Sequence, residues 1–154
     1  MAYYRPTVQK DIELLAPIMR SDDRKEVWHS HGLDPLNALT ASVNSSQEAN
    51  TIIGSNQQVI GLFGYSEYDK DNAIPWILAS DDLPRMTFWF VPESKKWVNR
   101  ISEKYRCLYN YVHFENQTGL RWVEWLGFKL NRKLDNWGVN PTTFIEFVMR
   151  RKET

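Results

Sequence analysis

Cysteine is almost absent from this chain: Cys107 is the only one in 154 residues. A lone thiol can close no internal disulfide, so the fold must rest on its core, as in proteins of reducing compartments. Long apolar runs are missing too. Nothing approaches the ~18–20 residues of a membrane helix, and Met1–Lys10 lacks the apolar centre of a signal peptide. Internal repeats and low-complexity segments are absent. Net charge is zero, with 19 Lys/Arg against 19 Asp/Glu, which points to neither nucleic acid nor a membrane surface as a partner. These absences lead us to expect a protein of the cytosol, or one packed into a particle assembled there.

What is present argues for one globular domain spanning 1–154. The chain is 42% hydrophobic and 14% aromatic, too apolar for disorder and long enough for one real core. Charge is unevenly placed. Residues 1–94 hold 7 Lys/Arg and 13 Asp/Glu, net −6; residues 95–154 hold 12 and 6, net +6. We read this as intramolecular balance, although it would also suit head-to-tail stacking of copies.

Taken in order, Ala2–Arg5 reads as a strand, with Thr7 as N-cap of a helix over Lys10–Arg20 that Pro17 must kink or stop. Ser21 to about Ser30 is a second helix ended by Gly32. Asp34-Pro35 opens a third, with the cap and the proline in their preferred places. Thr51–Gly54, Val59–Tyr65 and Ala73–Ala79 form a three-strand meander with turns at Ser55-Asn56-Gln57 and Asp69–Asn72. Asp81-Asp82-Leu83-Pro84 starts a helical stretch reaching Tyr105, interrupted by Pro92. Strand Leu108–Val112, helix Thr118–Leu126, strand Lys129–Leu134, a turn at Asn136-Trp137-Gly138 and strand Phe144–Met149 complete the chain. A rival register makes Met86–Val91 the fourth strand. It would leave only Pro92–Arg106 for a loop and a crossover helix, which is short for a parallel connection.

Asn116–Phe128 carries the most information. An apolar strand stops at His113; Leu120, Val123 and Leu126 then recur on one helical face, and Gly127 sits where a left-handed closing residue belongs. An Asn, ten residues and then Gly-Phe after a strand resembles the last motif of the GNAT acetyltransferase fold. Arg5–Ile12 and Phe144–Phe147 resemble that fold's first and last elements. Glu26–Leu39, Ile74–Leu78 and Leu108–Val112 more narrowly resemble the internal virion proteins of T7-type podophages, a family described as acetyltransferase-like. The resemblance implies an α+β, three-layer architecture: a mixed, mostly antiparallel sheet of about six to seven strands, flanked by about four helices and splayed near the fourth and fifth strands. It also implies an acetyl-CoA site, with Ile77, Leu78 and Ala79 aligning the cofactor arm and Asn116 nearby.

Against that pattern, several chemical parts are missing. The Arg/Gln-x-x-Gly-x-Gly phosphate run is absent. In the preferred register its place holds Ser80-Asp81-Asp82, whose charges at a helix start would repel pyrophosphate; like charges ~4–5 Å apart cost ~1–4 kcal/mol per pair. In the rival register the loop holds Lys95 and Lys96, which could contact phosphates. The position of the usual tyrosine acid is Val123, which has no proton to give. As base, the sequence offers Asp81 or His113, with Glu67 as a further candidate. Asn116 also reads as a helix cap, His29 and His31 as a frayed helix end rather than a metal site, and Tyr109, Tyr111, Phe114, Trp122 and Trp125 as core. Lys95, Lys96, Arg100 and Lys104 form a basic helix face. Two functions follow. One is a phage protein with a lost or weakened acetyl-CoA site and no metal, in the virion or host cytoplasm, contacting virion or host proteins or its own copies. The alternative is an active acetyl-CoA-dependent N-acetyltransferase with a divergent phosphate loop. Nucleic-acid binding rests only on the basic second half.

Overall fold

Strand and helix periods resolve into seven strands and five α-helices in the computed structural model, which describes residues 1–151. The last three residues of the single expected domain lie outside that range. Strand β1 (Tyr3–Pro6) is followed by helix α1 (Gln9–Leu15), a 3₁₀ turn (Ala16–Ile18), α2 (Ser21–His31) and α3 (Pro35–Ser45). Then come β2 (Glu48–Ile53), β3 (Val59–Glu67), β4 (Asn72–Ala79), a second 3₁₀ turn (Leu83–Met86) and α4 (Thr87–Ser102). The chain ends with β5 (Cys107–His113), α5 (Gln117–Trp125), β6 (Lys129–Trp137) and β7 (Thr142–Arg150).

All seven strands form one sheet in the order β1-β2-β3-β4-β5-β7-β6. Every pairing is antiparallel except β4 with β5. The meander over β2–β4 fixes the register: Asn72–Ala79 is the fourth strand, and Met86–Val91 closes a 3₁₀ turn and opens α4. Pro92 neither breaks nor precedes that helix but lies inside it. The N–H it lacks would have bonded near Phe88, whose side chain is 99% exposed, so the loss falls on the solvent side.

Two apolar layers sandwich the sheet. On one face Ile12, Leu15, Val27, Ala38 and Leu39 from α1–α3 pack on Ile53, Leu62 and Leu78. On the other, Trp97, Val98 and Ile101 of α4 and Leu120 of α5 pack on Tyr65, Leu108, Val112 and Phe147. Each such side chain taken from water contributes roughly 1.5–3 kcal/mol. Pro17 acts as expected, since α1 stops at Leu15 and tightens into the 3₁₀ turn. Thr7, however, is not the cap of α1. Val8 occupies that position, and the Asp11 carboxylate accepts its N–H at 2.9 Å. Gly127 takes the left-handed conformation foreseen for it, with φ 100°.

Candidate active site

The parallel pair β4/β5 holds together over only two matched positions, Asn72 with Cys107 and Ala73 with Leu108. Pro75 explains why the ladder stops there. Its nitrogen points toward β5 but carries no hydrogen to donate. Asn110 Nδ2 supplies the last bridge, donating to the Pro75 carbonyl at 2.7 Å. Beyond it the strands part like a V. Ala79 directs its backbone groups away from β3, so strand alternation directs those of Ile77 into the gap as well. A cavity of ≈690 Å³ passes through this opening, from the α2/α3 side of the sheet to the α4/α5 side.

Helix α2 closes the wide end of the V with side chains where a sheet would use a strand. Asp23 Oδ2 accepts the N–H of Ala79 in β4 at 2.8 Å. One turn on, Glu26 Oε1 accepts the N–H of His113 in β5 at 3.0 Å and that of Asn116 Nδ2 at 2.8 Å. Arg20 completes the cluster. Its guanidinium donates to Asp23 Oδ1 at 2.9 Å and to Asp22 at 3.3 Å, and lies 5.3 Å from the Trp122 ring centre. Both Asp23 oxygens are thus engaged. Glu26 Oε2 takes no hydrogen bond among the described residues; since no buried polar atom lacks a partner, that oxygen is open to the cavity.

Burial sets the electrostatics. It pushes the Glu26 carboxyl up to about 8, with Asp23 adding repulsion, while the two N–H donors and Arg20 pull the other way. Asp23 is also raised by burial, against the opposing pull of Arg20 and the Ala79 N–H. A carboxyl whose proton affinity is raised past neutrality, with one oxygen fixed and the other facing a cavity, suits a group that takes up a proton during a reaction in mild alkali.

The residues singled out from sequence are distributed unevenly around this centre. Ile77 and Leu78 line the cavity. Ala79 sits at its end, with N–H and C=O already committed to Asp23 and to the N–H of Arg20. Asn116 is buried and caps α5, its Oδ1 accepting the Gly119 N–H at 2.9 Å, while its Nδ2 holds Glu26. Val123 lines the cavity and offers no proton. Asp81 is exposed and off the cavity. His113 is buried and stacks on His29, rings 5.2 Å apart, with its basicity lowered by burial and by that neighbour. Glu67 accepts the Tyr105 hydroxyl at 2.7 Å. Lys95 and Lys96 are exposed two turns into α4, and Lys96 pairs with Glu93 at 3.3 Å. The register that would place those lysines in a loop does not form.

No protein-family model and no curated protein matches the sequence. Solved structures do match the whole chain. A GNAT-family acetyltransferase from Bacillus anthracis aligns at TM-score 0.72 and 12% identity, over 97% of this chain and 94% of its own. The ribosomal-protein-S5-alanine acetyltransferase from Vibrio fischeri aligns at 0.68 and 11%, over 99% and 94%. A GNAT-family acetyltransferase from Elizabethkingia anophelis with acetyl-CoA bound aligns at 0.63 and 12%, over 97% and 98%. The fold is that of the GNAT acetyltransferases.

The GNAT fold implies acetyl-CoA, and the residues present can be tested against it. The apolar walls of Leu78, Phe90, Trp122 and Val123, with the backbone of Ile77 opening between them, fit an extended arm. At the phosphate end the expectation from sequence needs correction. Asp81 and Asp82 do not crown α4, because the 3₁₀ turn intervenes and Asp82 pairs with Arg85 at 3.1 Å. The first turn of α4 carries no side-chain cap, and Thr87, Thr118 and Arg121 line a depression of ≈160 Å³ beside it. Arg121, the cation in that depression, fits an anionic group without a glycine loop. Among the described residues no cluster of three or more His, Cys, Asp or Glu is placed to hold a metal, and no helix is long and apolar enough to cross a membrane.

Sequence reasoning missed Arg20, Asp23 and Glu26. Asp23 and Glu26 stand at i and i+3 on α2, with Arg20 just before its first turn, so the start of the helix carries a charged stripe where an amphipathic helix would be apolar. That stripe was the available signal, and it reads equally as a solvated helix start.

Proposed function

We propose that this protein is an acetyl-CoA-dependent N-acetyltransferase in which Glu26 is the general base. The observation that carries the reading is Glu26 Oε2, facing a cavity that runs through the parted strands. Bound acetyl-CoA would supply an acetyl thioester, held by Ile77 and the apolar walls along its arm and by Thr87, Thr118 and Arg121 at its phosphates. The chain's own part is proton handling and placement. Above about pH 8, where its carboxyl is ionised, Glu26 accepts a proton from the incoming ammonium, leaving a neutral nitrogen able to attack. Asn116 and the His113 N–H hold Glu26 Oε1 so that Oε2 stays aimed at the cavity. The N–H of Ile77 would face a carbonyl oxygen in the gap. Val123 gives no proton to the departing sulfur, and at the ordinary thiol value near ~8.5 a thiolate leaves without one.

Titration calorimetry with acetyl-CoA, followed by thiol release with a panel of primary amines, tests this. Saturable binding is expected. Glu26→Gln should lower kcat by about 10²–10⁴ while acetyl-CoA affinity stays within about twofold. Full turnover in that variant removes Glu26 from the role, and no binding at millimolar acetyl-CoA removes the enzyme.

A second reading keeps the fold without the reaction. It is a phage protein of the internal virion type, in the particle or host cytoplasm, working through contacts with virion or host proteins or its own copies. Val123 in place of an acid and the missing glycine loop support it, together with the resemblance of Glu26–Leu39 and Leu108–Val112. An absence of acetyl-CoA binding, with co-purification in particles, is its expected signature.

A further inference from the structure

The cavity has two chambers of different character, and the one on the α2/α3 side carries a specificity signal. Resting on the N-acetyltransferase reading above, we propose that its acceptor is a primary monoamine bearing a flat aromatic body, an arylalkylamine.

Tyr109 and Tyr111 alternate with Asn110 along β5 and so project to one face of the sheet. Trp137, at the end of β6, meets Tyr111 with ring centres 4.6 Å apart and a 36° tilt. Tyr109 lies 6.1 Å from Tyr111, and Tyr68 lies 6.4 Å from Tyr109 at the mouth, where it is 70% exposed. Trp76 faces this chamber from β4, held by its Nε1 donating to Ser46 Oγ at 2.7 Å. Tyr109, Tyr111, Trp76 and Trp137 are all only half-buried and all line the cavity. A core cluster would have its ring faces covered; these rings keep area facing an open chamber that ends at Glu26.

The charges decide the rest. Glu26 Oε2 is the open acceptor at the inner end. Asp23 has both oxygens committed, to Arg20 and to the Ala79 N–H, and Glu93 belongs to α4 on the other side of the sheet. Near the rings, Asp69 is held by Asn72 and Glu146 by Arg132, so a polyamine would find one uncommitted carboxylate, Glu26, for its first ammonium and aromatic walls for the next. Arg20, the guanidinium lining the cavity, is spent on Asp22, Asp23 and Asn116. A free amino acid would bring a carboxylate to a chamber whose guanidinium is engaged and whose outer walls are rings. One ammonium on an aromatic body satisfies both ends: the cation meets Glu26, and the ring stacks among Tyr109, Tyr111 and Trp137.

The experiment measures binding directly, separately from turnover. 2-Phenylethylamine, spermidine, lysine and 2-phenylethanol are titrated into the intact protein by calorimetry at pH 9, where the Glu26 carboxyl is ionised, and thiol release with acetyl-CoA is read for the three amines. We expect 2-phenylethylamine to bind at least tenfold more tightly than spermidine or lysine, and more tightly than the alcohol, which lacks the charge. Tyr109→Leu, at a half-exposed position, should weaken it about tenfold and raise KM more than it lowers kcat. Trp137→Leu, checked by its thermal melt, should do the same. A preference for spermidine or lysine in binding or thiol release overturns the assignment while leaving N-acetyl transfer standing. So does unchanged 2-phenylethylamine affinity in both variants, or acetyl-CoA binding with none of the amines. Selective arylalkylamine binding without thiol release keeps the chamber's assignment and removes the enzymatic reading.

Discussion

Replacing Glu26 by Gln should make this protein more stable in alkali and unchanged in acid. Glu26 titrates at about 8 in the folded chain against an ordinary 4.5, because burial disfavours its charge. The folded state then holds a proton that the unfolded state has released between those values. Stability contributed by the neutral form is complete below the unfolded value and is lost as pH rises through the folded one. The slope for one proton is about 1.4 kcal/mol per pH unit. Summed over the span from 4.5 to about 8 this gives roughly 5 kcal/mol, which water in the open cavity would screen to about 2–4 kcal/mol. Gln keeps the Oε1 acceptor for the His113 and Asn116 donors and never ionises. Arg20 and Asp23, the charged groups beside it, are common to both proteins. Denaturant and thermal melts at pH 4, 7 and 9 should show coincident curves at pH 4. At pH 9 the variant should gain about 2–4 kcal/mol, or roughly 5–15 °C in Tm for a chain of this size. Glu26→Ala is the contrast: it strands two donors and should be less stable than the Gln variant at every pH. Parallel wild-type and Gln profiles from pH 4 to 9 would refute the buried-carboxylate account.

Gly64→Ala should lower stability by about 2–4 kcal/mol in urea titration, because an added Cβ there would overlap the Glu48 carbonyl of β2; an unchanged midpoint would show that β2 and β3 can move apart freely. Glu146 is held down at about 2 by its bidentate partner Arg132, so Arg132→Ala should return its carboxyl NMR titration toward 4. The pair's contribution is present above the unfolded value and lost as pH falls through about 2, so the variant should lose most of the wild-type stability loss in acid, with Asn131 and Tyr111 keeping a remainder.

The fold was legible because its signals were local and repeated. The meander over β2–β4 has alternating apolar runs with turn residues between them, and α5 announces itself through Asn116, its apolar face and Gly127. Crossover length chose the fourth strand correctly. The parting of β4 from β5 came through resemblance, although Pro75 carries a physical reason for it in plain view. The site was far less legible. Burial of Arg20 and Asp23, and the partial burial of Glu26 beside the cavity, are tertiary facts: the same residues on an isolated helix are ordinary surface charges. Of the base candidates, Asp81 faces solvent and His113 is packed against His29. Lys95 and Lys96 depended on Met86–Val91 forming a strand; it opens α4 instead, and the helix tolerates Pro92 on its exposed side.

The two carboxylates of α2 give the V a fixed gauge. The N–H of Ala79 on one strand and that of His113 on the other are both anchored to a single helical turn, so the distance between strand ends is dictated by the i, i+3 interval rather than by the sheet. Adding or removing one residue between Asp23 and Glu26 would swing one carboxylate about 100° around the helix and release one strand from its tether. Substitutions among the rings that line the mouth leave this gauge intact, whereas a change in the length of the interval from Asp23 to Glu26 would not. The amide protons of Ala79 and His113 should also exchange with solvent as a coupled pair, since opening either requires the same turn to lift.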